Sequence, residues 1–242
     1  MKYAIISDIH GNLEAFQKVL TEIRSMKGIG KVVCLGDIVG YGADPQKCID
    51  LTRGNSDIII AGNHDYAAVG KTDVSLFNPV AREAALWTGE VLKVDYINFL
   101  KRLPLISTVD NLHFAHGSLY KPDEWRYLLS IPQTHIDFEI MEHDILFIGH
   151  SHIPVIFENN DNKIRIITDY EVDLDKDAKY IINPGSIGQP RDFDPRASFV
   201  IYDSEKRYIK IIRVEYNIRE AQRKIRAAGL PDVLAERLGY GR

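Results

Sequence analysis

The segment KYAIISDIHGN, residues 2–12, places an apolar run directly before an acidic and an imidazole side chain. The run has the length and composition of a buried β-strand, and it stops at Asp8. Apolar residues then recur at helical spacing from Leu13 to Met26, and Asn12 stands where a helix cap is expected. The segment therefore predicts a strand and a helix joined by a short turn that carries Asp8 and His10.

The same arrangement follows twice more along the chain. A second apolar run, Lys31–Leu35, ends at Gly36-Asp37, and a third, Asp57–Ala61, ends at Gly62-Asn63-His64-Asp65. A helix that begins at Pro45 separates these two runs. The order strand, helix, strand, helix, strand is typical of a sheet with crossover helices, which predicts an α/β protein.

The second part of the chain has a different pattern, after a mainly helical stretch over residues 66–103. Its apolar runs are separated by turn signals such as Asp110-Asn111, with little helix between them, which indicates a mixed or antiparallel sheet. Helical spacing returns from Ile218 to Ala228, and no linker is visible, so we expect a single domain over residues 1–242. The predicted strands are residues 105–109, 112–115, 145–148, 155–158, 164–168, 180–182, 198–202 and 208–214.

The composition is that of an ordinary globular protein, with 242 residues, 45% hydrophobic residues and a net charge of -4. A mildly acidic chain has no general attraction for nucleic acid or for an anionic membrane. No apolar run approaches the roughly 20 residues of a membrane span. The first residues do not resemble a signal peptide, and Cys34 and Cys48 fit reduced structural thiols, so we expect a cytoplasmic protein.

Five short segments place potential metal ligands directly after predicted strands. Because strand ends at one edge of an α/β sheet converge on one crevice, we expect these side chains to lie together. Imidazole suits Zn and Fe, whereas carboxylate and amide oxygens suit Mn and Mg, and two ions about 3.5–4 Å apart can clamp a phosphate. Asp37 stands alone in its segment and is the candidate for a shared ligand. The potential ligands are Asp8, His10, Asp37, Asn63, His116, His150 and His152.

Each segment taken alone has an ordinary structural explanation. An Asp8-x-His10 pair occurs in many surface loops, Gly36-Asp37 is a turn signal, and a lone His116 is more often a satisfied polar residue than a ligand. Their joint occurrence, each after a strand, is what favours a metal site.

The motifs SDIHG at residues 7–11, GDIVG at 36–40, GNHD at 62–65, HG at 116–117 and GHSH at 149–152 resemble, in order, those of the calcineurin-like metallophosphoesterases. The segment from Asn183 to Arg196 resembles a bacterial and archaeal subgroup related to diadenosine tetraphosphatase and to small phosphodiesterases. The resemblance implies a four-layer αββα sandwich with two mixed β-sheets and flanking helices.

The resemblance also implies a role for each residue. Asp37 would bridge two divalent ions, of which Mn, Fe, Zn and Ni all fit the ligand types, and His64 would be the catalytic general acid. A metal-bridging hydroxide would attack a phosphodiester, phosphomonoester or phosphoanhydride bond. The implied ligands are Asp8, His10 and His152 for one ion, and Asn63, His116 and His150 for the other.

The sequence differs from the better-known branches of the family at residues that would contact the phosphate or the catalytic histidine. Protein phosphatases resemble GDxVDRG, whereas here Gly40 stands at the aspartate that partners the catalytic histidine, and Tyr41 stands at a phosphate-binding arginine. Arg191 and Tyr41 are therefore the candidate substrate-binding residues. The alternative for Arg191 is a surface ion pair with Asp192 or Asp194.

Two other residues, Trp125 and Tyr127, could stack on a nucleobase, although core or rim packing is the favoured explanation for both. The expected partner is a small phosphate ester, with nucleotides and dinucleoside polyphosphates among the candidates. Two alternative functions remain open at this point: a non-catalytic scaffold on the same fold and a nuclease of the same superfamily. The lack of a basic, aromatic-rich stripe argues against binding of long nucleic acid.

Overall fold

The computed structural model describes residues 1–242, which form twelve strands and eight α-helices. The strands are β1 Lys2–Ile6, β2 Ile29–Cys34, β3 Ile58–Ile59, β4 Ile106–Val109, β5 Leu112–Ala115, β6 Ile145–Phe147, β7 Pro154–Asn160, β8 Lys163–Ile167, β9 Glu171–Asp173, β10 Lys179–Pro184, β11 Ala197–Asp203 and β12 Tyr208–Val214. The α-helices are α1 Leu13–Ser25, α2 Pro45–Asn55, α3 Asn63–Ala68, α4 Pro79–Val91, α5 Val94–Arg102, α6 Ile131–Ile140, α7 Ile218–Ala227 and α8 Asp232–Glu236. Short 3-10 helices lie at Val74–Leu76, Pro122–Glu124 and Arg237–Gly239.

The strands form two six-stranded mixed sheets. The first has the order β3-β2-β1-β11-β12-β9, and the second has the order β4-β5-β6-β10-β7-β8. In the first sheet β1, β2 and β3 are parallel, and in the second β5, β6 and β10 are parallel. Each sheet therefore has three parallel strands whose carboxyl ends point the same way, and antiparallel pairs complete it.

The sheets pack face to face over an apolar core. Alternate residues of β1 point in opposite directions, so Tyr3 and Ile5 enter this core while Ala4 and Ile6 lie on the other face of the sheet. Phe147 lies at the centre and stacks on Phe114, with ring centroids 5.8 Å apart and ring planes at 13°.

Helices cover the outer face of each sheet. Apolar residues of α1 and α2 pack on the first sheet, and α6 covers the second sheet through Phe138. The αββα sandwich with two mixed sheets is therefore confirmed. A smaller apolar cluster joins α4, α7 and α8 around Tyr41, which places these helices beside the strand ends.

Most local predictions are confirmed. The side chain of Asn12 caps α1 by accepting a hydrogen bond from the Ala15 N–H. Asp110 and Asn111 have φ of +53° and +61° in the tight turn between β4 and β5, as that type of hairpin requires.

Helix α6, which lies between β5 and β6, was not predicted from the sequence. Its buried side chains, Thr134, Asp137 and Phe138, do not form an apolar stripe, so the helical period is hidden. The Asp137 carboxylate instead accepts hydrogen bonds from the Ser118 hydroxyl and the Leu119 N–H. The three-residue strand β9 was also not predicted, because it is short and lies at a sheet edge.

The two cysteines and the lengths of the helices bear on the predictions made for the whole chain. Cys34 and Cys48 are both free and buried, as expected of structural thiols. None of the helices combines the length and the hydropathy that crossing a bilayer requires.

We expect Phe147→Ala to lower the free energy of unfolding by about 3–5 kcal/mol, because the substitution opens a cavity between the two sheets. Denaturant titration followed by circular dichroism measures the change. The control is Val94→Ala, at a side chain that is 68% exposed, where we expect a change within about 0.5 kcal/mol. A similar loss in both variants would contradict this account of the core.

Candidate metal centre

The predicted site residues follow the parallel strands of both sheets and meet at one edge of the sandwich. Asp8, Asp37 and Asn63 follow β1, β2 and β3, whereas His116 and His150 follow β5 and β6. Two clusters result, in each of which the potential ligand atoms lie within 4.8 Å of one another. The first contains Asp8, His10, Asp37 and His152, and the second contains Asp37, His116 and His150.

Asp37 is the member that the two clusters share. One carboxylate oxygen, Oδ1, accepts a hydrogen bond of 2.8 Å from the His64 N–H. The other, Oδ2, lies 3.5 Å from His10 Nε2 and 3.3 Å from His116 Nε2, and it is buried without a hydrogen-bond partner. The Asp37 carboxylate thus lies within reach of histidines of both clusters.

The two carboxylate oxygens of Asp8 have different contacts, as those of Asp37 do. Oδ2 accepts a hydrogen bond of 3.1 Å from the His150 N–H, and Oδ1 faces His152 Nε2 at 3.2 Å with no hydrogen-bond partner. Burial alone would raise the pKa of both Asp8 and Asp37, but the surrounding imidazoles outweigh burial and hold both pKa values well below their usual range. Both carboxylates are therefore ionised in the interior.

Three imidazoles are oriented by backbone carbonyl oxygens. Nδ1 lies 3.1 Å from Val39 O in His10, 2.7 Å from Leu35 O in His116, and 2.6 Å from Gln189 O in His152. A proton on each Nδ1 leaves the Nε2 lone pair free to bind a cation. The Nε2 atoms of His10 and His152 lie 3.0 Å apart, so one cation could bind both.

The backbone at the site adopts a conformation that L-amino acids rarely take. Five of the seven predicted ligands have positive φ, which costs on the order of 1 kcal/mol for each residue. The φ values are +53° for Asp8, +50° for His10, +50° for Asp37, +67° for His150 and +61° for His152. Such a concentration of strain indicates that the local backbone serves the geometry of the site.

The donor atoms at the edge fit divalent metal ions. Four buried electron-pair donors around the two clusters have no hydrogen-bond partner, namely Asp8 Oδ1, Asp37 Oδ2, Asn63 Oδ1 and His116 Nε2. A buried acceptor without a partner costs about 1–3 kcal/mol, and a bound cation would remove that cost. Imidazole, carboxylate and amide donors in this mixture suit first-row divalent ions.

His64 lies beside the clusters at the start of α3 and is not a member of either. Its ring contacts Tyr41 and Phe77, at centroid distances of 4.4 and 5.2 Å, and its Nδ1 is buried without a partner. Burial lowers the pKa of His64 to about 4; the Asp37 charge opposes this shift, whereas Arg191 adds to it. An added Cβ on Gly40 would lie 2.6 Å from His64 Nδ1, so this arrangement leaves no room for an acidic side chain at residue 40.

Arg191 and Tyr41 lie together at the rim of the site. Arg191 Nη2 donates to Tyr41 Oη at 3.4 Å and to Gln189 Oε1 at 3.0 Å. The alternative of a surface ion pair is wrong, because Asp192 pairs with Arg213 and Asp194 pairs with Arg196.

An open cleft of about 290 Å³ lies over His64, and its lining combines the rings of Phe77, Trp125 and Tyr127 with polar side chains that include Asp73 and Glu124. Tyr127 stacks on His150, with centroids 3.9 Å apart, and is 42% exposed at the rim. Trp125 packs edge-on against Tyr66 and His116. Both rings line the cleft, and Tyr127 at the rim is the more exposed of the two.

Two residues that support the site were not singled out from the sequence. The buried Asp65 carboxylate accepts hydrogen bonds from the N–H groups of Ile38, Val39 and Gly62, which join the loops after β2 and β3. The Ser186 hydroxyl donates to the Asp8 carbonyl oxygen at 2.8 Å. Asp65 ends the GNHD motif, so the motif contained a signal for it; no local signal marks Ser186.

Comparisons with known proteins agree with this geometry. Residues 1–207 match the model of the calcineurin-like phosphoesterase superfamily domain. The chain is 43% identical over 243 residues to an uncharacterized protein of Methanocaldococcus jannaschii, covering 99% of this chain and 98% of that one. It is 24% identical over 216 residues to the phosphodiesterase YfcE of Escherichia coli, covering 85% of this chain and 89% of that one.

A similar solved structure is that of a metallophosphoesterase from Sphaerobacter thermophilus. The two chains are 36% identical and superpose with a TM-score of 0.88, over 100% of this chain and 99% of the other. The motifs, the two-sheet fold and the clustered ligand atoms thus support the same family assignment as these similarities. The chain belongs to the calcineurin-like phosphoesterase superfamily and is a metallophosphoesterase.

Proposed function

We propose that the protein uses two divalent metal ions to hydrolyse small phosphate esters or anhydrides. The observation that carries the proposal is the position of Asp37, which belongs to both ligand clusters and keeps one buried oxygen without a hydrogen-bond partner. A single-ion site would need no carboxylate shared between two clusters.

The seven residues would divide between the two ions as the family resemblance implies. Asp37 would belong to both sets, and Mn, Fe, Zn and Ni all suit the mixture of donors. Bound there, two divalent ions would neutralise charge on the phosphate and lower the pKa of water. The first set would be completed by Asp8, His10 and His152, and the second by Asn63, His116 and His150.

His64 would act on the leaving group. With its pKa lowered to about 4, the imidazole is neutral at pH 7 before substrate binds. An anionic phosphate beside the ring would raise this pKa, because a nearby negative charge favours the protonated form. The protonated ring could then donate its proton to the leaving oxygen as a general acid.

The surroundings of His64 suit an ester with an organic group. The cleft over His64 could take up an apolar or heterocyclic group, with Tyr127 as a stacking surface. Arg191 and Tyr41, which contact each other, would bind phosphate oxygens. Similarity to YfcE, a phosphodiesterase by name, supports diesters as substrates, and nucleotides fit the same description.

The net charge of -4 does not favour long nucleic acid as a partner of this protein. Two free thiols support a reducing compartment such as the cytoplasm.

A substrate screen on metal-reconstituted protein tests the proposed activity. We expect hydrolysis of bis-p-nitrophenyl phosphate, and the comparison with p-nitrophenyl phosphate and diadenosine tetraphosphate decides between diester, monoester and anhydride. Metal-stripped protein is the control and should be inactive. Failure to cleave any of the three substrates with each of Mn, Fe, Zn and Ni would contradict the proposal.

Metal binding can be measured without catalysis. At a free Mn²⁺ concentration 100 times Kd, we expect stabilisation by about 2.7 kcal/mol, which raises Tm by roughly 5–10 °C for a chain of this size. Asp37→Ala should abolish most of this shift, since both clusters lose a ligand. The matched control is Asp110→Ala, at a carboxylate that pairs with Lys31 far from the site. An equal Tm shift in both variants would exclude Asp37 as a ligand.

The role of His64 can be tested by changing the leaving group. We expect His64→Ala to lower kcat about 10²–10⁴-fold for a nucleoside leaving group, which needs a proton to depart. The loss should be much smaller for p-nitrophenolate, which leaves as an anion. The metal-dependent Tm shift should persist, and His135→Ala, at an exposed histidine, is the control. Equal losses for both leaving groups would show that His64 is not the general acid.

A further inference from the structure

Two arginine side chains meet at one amide oxygen beside the metal centre. Gln189 Oε1 accepts a hydrogen bond from Arg191 Nη2 at 3.0 Å and another from Arg237 Nη1 at 3.3 Å. Because one oxygen atom receives both donors, the two guanidinium groups lie side by side.

No carboxylate neutralises this pair. Arg213 and Arg196 form ion pairs with Asp192 and Asp194, whereas neither Arg191 nor Arg237 is within 4.0 Å of any acidic oxygen. The Nε atoms of both are buried and have no hydrogen-bond partner. Burial, together with the charge of Arg191, lowers the pKa of Arg237. Two like charges with free donors have an unfavourable energy that an anion between them would relieve.

The arginine pair is joined directly to the predicted metal ligands. The Arg191 N–H donates to the His152 carbonyl oxygen at 3.2 Å, and the Gln189 carbonyl oxygen accepts from His152 Nδ1 at 2.6 Å. Arg191 also donates to Tyr41 Oη at 3.4 Å, and the Tyr41 ring packs against His10 and His64, whereas the side chain of Arg237 reaches only Gln189. Arg191 is thus the inner member of the pair and Arg237 the outer one.

Arg237 comes from a part of the chain outside the family match. It opens the 3-10 helix Arg237–Gly239, whereas the superfamily model matches residues 1–207. The cluster of α4, α7 and α8 holds this segment in place through apolar side chains such as Leu234 and Leu238. Apolar packing explains Leu234 and Leu238, whereas the guanidinium of Arg237 is directed to Gln189 beside the metal centre.

We propose that Arg191 and Arg237 form a subsite for a second phosphate group of the substrate, next to the phosphate that is hydrolysed. The substrate class is then a phosphate ester or anhydride with two or more phosphates in short linkage, such as a nucleoside diphosphate or a dinucleoside polyphosphate. This inference rests on the proposed function, since it adds a specificity element to the same site. Arg191 would contact both phosphates, and Arg237 only the second.

The kinetic test compares substrates with different numbers of phosphates. Loss of a charge-assisted hydrogen bond corresponds to roughly a 10- to 100-fold change, so we expect Arg237→Gln to raise KM for diadenosine tetraphosphate by about that factor relative to KM for bis-p-nitrophenyl phosphate. Arg237→Lys, which keeps the charge, should recover part of the loss. Arg219→Gln removes one charge from an exposed, unpaired arginine of α7 and is the matched control. The same ratio of KM values in wild type and Arg237→Gln would overturn the inference.

A binding measurement separates this inference from the proposed activity. We expect the full chain, stripped of metal and dialysed, to bind inorganic pyrophosphate about tenfold more tightly than its Arg237→Gln variant in isothermal titration calorimetry. Circular dichroism verifies that the variant is folded. If pyrophosphate binds both proteins equally, the subsite does not exist. If this difference is found but no substrate is cleaved, the anion subsite stands and the proposed hydrolysis fails.

Discussion

The carboxylate of Asp8 connects the two halves of the sandwich at the point where the site lies. Asp8 follows β1 of the first sheet, and one of its oxygens accepts the N–H of His150, which follows β6 of the second sheet. Its other oxygen and one oxygen of Asp37 remain buried without hydrogen bonds. Two buried anions are costly unless positive charge compensates them. Three features hold the potential ligands where a cation could compensate these charges. They are the strained backbone of the ligand residues, the imidazoles oriented by carbonyl oxygens, and the hydrogen bonds from Ile38, Val39 and Gly62 to Asp65.

The positions of most potential metal ligands could be predicted from the sequence, because the motifs that mark them are local. The residues after β1, β2 and β3 belong to short motifs, and the carboxyl ends of parallel strands meet at one edge whatever the details of packing. Asp8, Asp37 and Asn63 therefore come together from their positions alone. The bridging position of Asp37 was inferred in the same way, from its being the single candidate ligand in its motif.

What could not be predicted depends on contacts between distant residues. Helix α6 has no apolar stripe, and it buries Asp137 because Ser118 and Leu119, from a separate part of the chain, donate hydrogen bonds to that carboxylate. Gln189 and Arg237 are 48 residues apart, and nothing in the local sequence shows that one amide oxygen links them. The nearness of Asp192 and Asp194 in the sequence suggested an ion pair with Arg191. In the structure these two carboxylates pair with Arg213 and Arg196 instead.

Gly40 has a consequence for how this branch could have diverged from enzymes with an aspartate at that position. Its φ is +91°, and its α-carbon lies so close to the His64 ring that any side chain would collide with Nδ1. A single replacement by aspartate would displace the histidine instead of supplying its partner. A change at residue 40 alone is therefore not enough to convert one arrangement into the other, because His64 or the loop that carries Gly40 must move as well.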